Sequence, residues 1–173
     1  MSRRIAAAGV AVFLLLTGCS DDGDDETVTA GTEVAEEEAC RTAEEARTAP
    51  VPELDAPEDK VTEMQVVDLE VGCGAEIPDG QVVEVEVNYM GKAHSSGVVF
   101  DSSFERGETV TFPVGAGRLI EGWDTGLVGM KEGGRRQLVI PGNLAYGDTG
   151  SPPDIGPDDT LVFVIDLLSV QEQ

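Results

Sequence analysis

The stretch Gly115–Gly129, GAGRLIEGWDTGLVG, holds the chain's only tryptophan and limits what the rest of the chain can become. Leu119, Ile120, Trp123, Leu127 and Val128 recur at three- and four-residue steps, which predicts a helix of about two to three turns with one apolar face. The flanks are of β type, TVTFPV before and RRQLVIP then TLVFVIDLLSV after. A lone helix among strands buries its face by lying across a sheet. Trp123 then becomes the floor of a small apolar cup between helix and sheet.

The strands follow from period-two patterning. Met64 to Val71 is the first candidate, and the Gly/Pro turn VGCGAEIPDG after it presents Cys73. Val83, Val85, Val87 and Tyr89 alternate with Glu84, Glu86 and Asn88, as in a strand with one buried face. A loop from Gly91 to Gly97 leads into VVFDSS, and Thr109 to Val114 and Arg135 to Ile140 are further strands. The last, Thr160 to Val170, places Leu161, Phe163, Ile165 and Leu167 on the inner face. One helix on a mostly antiparallel sheet is an α+β domain, here residues 61–173. At 173 residues the chain has room for one such domain with a real core plus extra segments.

Those extra segments lie at the N-terminus. Arg3 and Arg4 precede an apolar run from Ile5 to Leu16, too short to span a bilayer of roughly 30 Å comfortably and of the length of a signal-peptide core. Its end, Leu16-Thr17-Gly18-Cys19, resembles the lipobox of bacterial lipoproteins, in which the cysteine is acylated. Residues 1–18 are accordingly read as a lipoprotein signal peptide and Cys19 as the lipidation site, with a lipid bilayer as partner. The alternative is an ordinary secretory signal or an uncleaved anchor that ends in Cys. The expected location is the outer face of the cell membrane.

With Cys19 assigned to lipid, Cys40 and Cys73 remain in a compartment where disulfides persist, and a bridge between them is expected; two separate thiols are the alternative. Residues 19–60 are acidic and poor in large apolar side chains, beginning with Asp21, Asp22, Asp24, Asp25 and Glu26. Such a composition predicts a flexible tether with an r.m.s. span of about 35 Å, stretched further by its like charges. Within it, Glu36 to Arg47 has the composition of a short helix that Cys40 would staple to the domain. The formal charge of −23 excludes nucleic acid as a partner, because binding phosphates needs a basic surface.

The ordered set Val87-Asn88-Tyr89-Met90-Gly91, Val99-Phe100-Asp101-Ser102-Ser103, Val114-Gly115, Leu119-Ile120-Glu121-Gly122-Trp123, Ala145-Tyr146-Gly147 and Leu161-Val162-Phe163 resembles the FKBP-type peptidyl-prolyl isomerases, the tacrolimus-binding family. The likeness spans roughly residues 61–172. It implies a half-conical antiparallel sheet of five to six strands wrapped around one short α-helix, with an apolar pocket between them. It implies proline-containing polypeptides and macrolides such as tacrolimus as ligands, exported polypeptides in view of the signal sequence, and neither cofactor nor metal.

Prolyl isomerisation suits such a pocket. The amide resists rotation because its C–N bond has double-bond character. An apolar site that strips water from the amide and fits the twisted peptide best lowers that barrier without a nucleophile. By resemblance, Phe100, Asp101, Trp123 and Tyr146 carry the catalysis, with Trp123 under the proline ring. Tyr89, Arg106, Leu119, Ile120, Ala145, Ile155 and Phe163 bind substrate. The Ile120 N–H and the Tyr146 hydroxyl are expected to bond substrate carbonyls. Asp101, oriented by Arg106 and the Tyr89 hydroxyl, is expected to stay ionised and act electrostatically.

The chain also departs from the family. Val110 stands where many members have an aromatic pocket wall, and Ser151 and Asp154 occupy positions that are often aromatic, histidine or aliphatic. An insert of about one residue between Tyr89 and Phe100 carries His94, expected to be a solvated loop residue. A second class of function uses the same pocket as a non-catalytic dock for a proline-bearing loop of an envelope partner. A binder of that kind has no need of Asp101.

Overall fold

Alternating valines become a sheet, and the sheet is the body of the domain. The structure is a computed structural model that describes residues 40–172, all within one compact unit. Cys19 and the expected signal peptide lie outside the described residues, as does the tether up to residue 39. Six strands, β1 (Gln65–Glu70), β2 (Val83–Ala93), β3 (Val99–Ser102), β4 (Val110–Val114), β5 (Arg135–Ile140) and β6 (Leu161–Glu172), form one antiparallel sheet. Its order is β1-β5-β6-β2-β3, with β4 also paired to β2. β6 runs beside the whole of β2, whose other edge is shared by β4 over Val83–Val87 and by β3 over Met90–Lys92. Register shifts at Glu86/Val87 and Gly91/Lys92 bend β2 so that it serves both partners.

The helix that crosses the sheet, Glu121–Gly126, is shorter than the expected two to three turns. The reason is the loop before it. The Asp124 carboxylate accepts from the N–H groups of Gly115 (2.8 Å) and Gly117 (3.1 Å), which holds those residues in a turn, so that helical backbone begins only after Ile120. The helix lies close on the sheet because Gly122 has no side chain: a Cβ there would come within 2.5 Å of Ile140. Numbered in chain order this helix is α3. Of the other two, α1 (Ala43–Thr48), also six residues long, overlaps the end of the stretch Glu36 to Arg47 read as a short helix, and α2 (Ser103–Arg106), of four residues, was not expected.

Between α3 and the sheet lies the main core, in which Val83, Val85 and Val87 of β2 and Leu161, Ile165 and Leu167 of β6 are fully buried with Leu127 and Leu138. The expected inner face of β6 is found there. The intervening residues are buried too: Val162 and Val164 join Leu54, Met90 and Val139 in a second cluster on the opposite face, with Ala56, Val61, Val99 and Phe104 against it.

That second cluster exists because residues 40–60, expected as the end of a tether, lie on the back of the sheet. Cys40 and Cys73 form a disulfide. Arg41 donates to the buried Asp166 carboxylate (2.8 Å), to the Gly133 carbonyl (2.6 Å) and to Glu70. Arg135 grips Asp166 with two bonds of 2.7 Å. Thr42 and Glu45 form a reciprocal capping box that starts α1, and Arg47 then pairs with Glu86 of β2 at 2.6 and 3.0 Å. Leu54 contributes about 1.5–3 kcal/mol by its burial. Composition had averaged these anchors away: within an acidic stretch, two arginines, one cysteine and one leucine hold the chain down. The expected boundary at residue 61 therefore falls inside a packed region.

Candidate active site

The cup expected over Trp123 is a cavity of about 460 Å³ between α3, β2, β3, β4 and the segment before β6. Trp123 is 4% exposed and meets three rings edge to face, Tyr89, Phe112 and Phe163, each with centroids 5.3 Å away. Phe100 stands edge-on to Phe163 at 5.6 Å, and Tyr89 to Phe112 at 5.7 Å. Such T-shaped pairs stabilise by about 0.5–1.5 kcal/mol each beyond area burial, so the walls hold their shape without a ligand. Gly91 makes room for them: a Cβ there would sit 2.6 Å from the Phe163 ring and 2.7 Å from that of Phe100.

A polar group built on Asp101 interrupts the aromatic wall. The Tyr89 hydroxyl donates to one oxygen of Asp101 and the Arg106 guanidinium to the other. Arg106 also lies over the Tyr89 ring, 5.9 Å from its centroid. Burial works to raise the Asp101 pKa, but the bonds from Tyr89 and Arg106 outweigh it and hold the carboxyl below the usual range. Burial, then the neighbouring carboxylate, push the Tyr89 phenol up. Both shifts favour a Tyr–OH beside an ionised Asp.

Local sequence positions this group. Ser102 caps α2 by accepting from the Glu105 N–H (3.2 Å), which places Arg106 one turn beyond Asp101. The next residue, Ser103, accepts from the Tyr89 N–H (2.8 Å) and donates to Asn88 (3.0 Å), tying α2 to β2. Ser102 and Ser103 follow Asp101 in the FDSS motif, so the positioning groups were present in the sequence but had no assigned role.

Ten of the eleven residues expected to bind or catalyse lie at this site. Tyr89, Phe100, Asp101, Leu119, Ile120, Trp123, Ala145, Tyr146 and Phe163 line the cavity, and Arg106 stands behind Asp101. Tyr146, between two 3-10 turns (Gly142–Leu144 and Gly147–Thr149), is 42% exposed at the mouth. The exception is Ile155. It is 4% exposed, belongs to the main core and is bonded to Ser151 within its own loop, so it does not line the cavity.

Three lining residues were missed, namely Phe112, Arg118 and Glu121. Phe112 was within reach of sequence reasoning, since it shares a strand face with Val110 and supplies an aromatic wall two residues further along. His94 also departs from expectation: it is half-buried, with Nε2 3.2 Å from the Glu58 carbonyl of the segment on the back.

Comparison with known proteins identifies the family. A family model described as FKBP-type peptidyl-prolyl cis-trans isomerase matches residues 73–168. The chain is 46% identical over 121 residues to an "FK506-binding protein" of Streptomyces anulatus, covering 69% of this chain and 96% of that one. It is 50% identical over 114 residues to a "Probable FK506-binding protein" of Corynebacterium glutamicum, covering 66% and 89%. It is 43% identical over 111 residues to "Peptidyl-prolyl cis-trans isomerase FPR2" of Saccharomyces cerevisiae, covering 60% and 82%. The solved structure described as "Crystal structure of AtFKBP13" superposes with a TM-score of 0.54 at 38% identity, over 61% of this chain and 91% of that one.

Proposed function

The chain belongs to the FKBP-type peptidyl-prolyl cis-trans isomerases and is an enzyme of that type, and from that premise we propose that it acts on exported polypeptides while anchored outside the cytoplasmic membrane through lipid on Cys19. The observation that carries the location is the Cys40–Cys73 disulfide, a bond that persists in oxidising compartments. The basic, apolar and cysteine-ended sequence of residues 1–19 supports the same reading.

At the site, the proline ring rests on Trp123 and the surrounding rings keep water from the amide. Loss of water disfavours the charge-separated resonance form that gives the C–N bond its double-bond character, and the barrier to twisting falls. The Ile120 N–H and the Tyr146 hydroxyl hold the flanking carbonyls. Asp101, kept ionised by Tyr89 and Arg106, stabilises the charge distribution of the twisted amide and transfers no proton. Macrolides such as tacrolimus are the second ligand class proposed for this cup, as the names of the bacterial relatives suggest for those proteins.

The test of location is fractionation of bacterial cells expressing the full chain. The wild type should sediment with membranes and be open to protease added to intact cells, whereas Cys19→Ala should lose the lipid label from radioactive palmitate and its membrane retention. A wild-type chain recovered in the cytoplasm, unlabelled, would overturn the proposal.

A further inference from the structure

Among the described residues, arginine is almost always committed to a carboxylate. Arg41 and Arg135 share Asp166, Arg47 holds Glu86, Arg106 holds Asp101 and Arg136 holds Asp68. Among the described residues Arg118 alone of the six arginines has no carboxylate partner, although the chain carries a formal charge of −23. It is exposed, and it lines the mouth of the cavity. A carboxylate of the same loop, Asp124, has both oxygens occupied by the N–H groups of Gly115 and Gly117. Those bonds also stiffen the loop, so the guanidinium stands on a fixed support. Leu119 and Ile120, the next two residues, line the cavity beside it.

A free guanidinium fork on a rigid rim, in a protein whose other exposed charge is mostly negative, matches a carboxylate supplied by the ligand. Arg118 lines the same cavity as Trp123, and successive residues of an extended peptide lie about 3.3–3.6 Å apart, so a client residue adjoining a proline seated there is brought to the side of the cavity that carries Arg118. Resting on the isomerase reading of the same cavity, we infer that Arg118 is a specificity determinant that selects prolyl bonds flanked by Asp or Glu. Glu121, which also lines the mouth and has no ion pair among the described residues, opposes that selection and limits its size.

The experiment uses paired peptides that differ only in Glu against Gln, placed immediately before the proline in one pair and immediately after it in another. In the wild type the Glu:Gln ratio of kcat/KM should be about three at one of the two positions, the range of an exposed ion pair, and should shrink in high salt. In Arg118→Gln the ratio should fall to one or below, because only acidic groups remain to act on the peptide charge, and in Arg118→Lys it should be partly kept. Because each ratio is taken within one variant, a general loss of activity cancels. Equal ratios in wild type and Arg118→Gln at both positions would overturn the inference while leaving the isomerase reading intact. If no peptide is accelerated, the isomerase reading is what fails, and the ratio of Kd values from Trp123 fluorescence still decides the role of Arg118.

Discussion

The two faces of the sheet bury comparable chemistry to different ends. On the front, Trp123, Tyr89, Phe112 and Phe163 meet edge to face at 5.3–5.7 Å, and the cluster is left open as a cavity of about 460 Å³. On the back, Val139, Val162 and Val164 are sealed by Leu54, Ala56 and Val61 of the chain's own N-terminal segment. Strand β6 supplies both, with Phe163 to the front and its two neighbours to the back. The difference lies in the cover: the front is left open, whereas the back is closed by a disulfide, a buried Arg–Asp–Arg cluster and a capped helix. On the proposed mechanism, front residues serve stability and chemistry together, and back residues are expected to serve stability alone.

The largest effect that sharpens this contrast is expected from Trp123→Ala. Removing the buried indole should cost about 3–5 kcal/mol in urea unfolding and abolish prolyl relaxation activity together. Retention of either property would break the double role given to the front. Next comes the paired change Cys40→Ser and Cys73→Ser, which frees a loop with a sequence separation of 33. It should lower stability by about 3–4 kcal/mol on the loop-entropy model, while kcat/KM stays at the wild-type value wherever the protein is still folded. A drop in kcat/KM under native conditions would show that the back shapes the pocket.

Asp101→Asn should do the reverse. Loss of one charged partner, about 1.5 kcal/mol, should lower kcat/KM roughly ten-fold, with the urea midpoint little moved. A midpoint shift as large as that of the cysteine pair would make Asp101 a structural residue. The smallest effect concerns Arg47 and Glu86, which pin α1 to β2. Hydrogen bonds from Arg47 and then Thr109 lower the Glu86 pKa to about 2 in the folded protein. A depressed acid contributes its stability above its unfolded pKa, near 4.5, and loses it as pH falls through the folded value. The advantage of wild type over Glu86→Gln, under about 1 kcal/mol for a pair of this exposure, should thus be constant at neutral pH and vanish between about pH 4.5 and pH 2. An advantage that persists below pH 2 would remove Glu86 from the cover.

Most of the front could be read from the letters. Valines at 83, 85 and 87 announced β2, and FDSS, LIEGW and AYG carried the residues that line the cavity. Ile155 was misjudged because nothing local tells whether an apolar residue in a proline-rich loop turns outward to a ligand or inward to the core. Arg118 went unnoticed because an arginine is conspicuous only once the other arginines among the described residues are seen to be paired.

What the sequence by itself determined is what depends on neighbours along the chain: strands from period-two alternation, a helix from three- and four-residue steps, and the order of motifs that carries the isomerase family. Only the tertiary structure decided the fate of residues 40–60. Their anchors are long-range, Arg41 reaching Asp166 across 125 positions and His94 meeting Glu58 across 36. A segment's average composition measures its own capacity to bury surface and carries no information about a distant buried carboxylate that needs a second arginine.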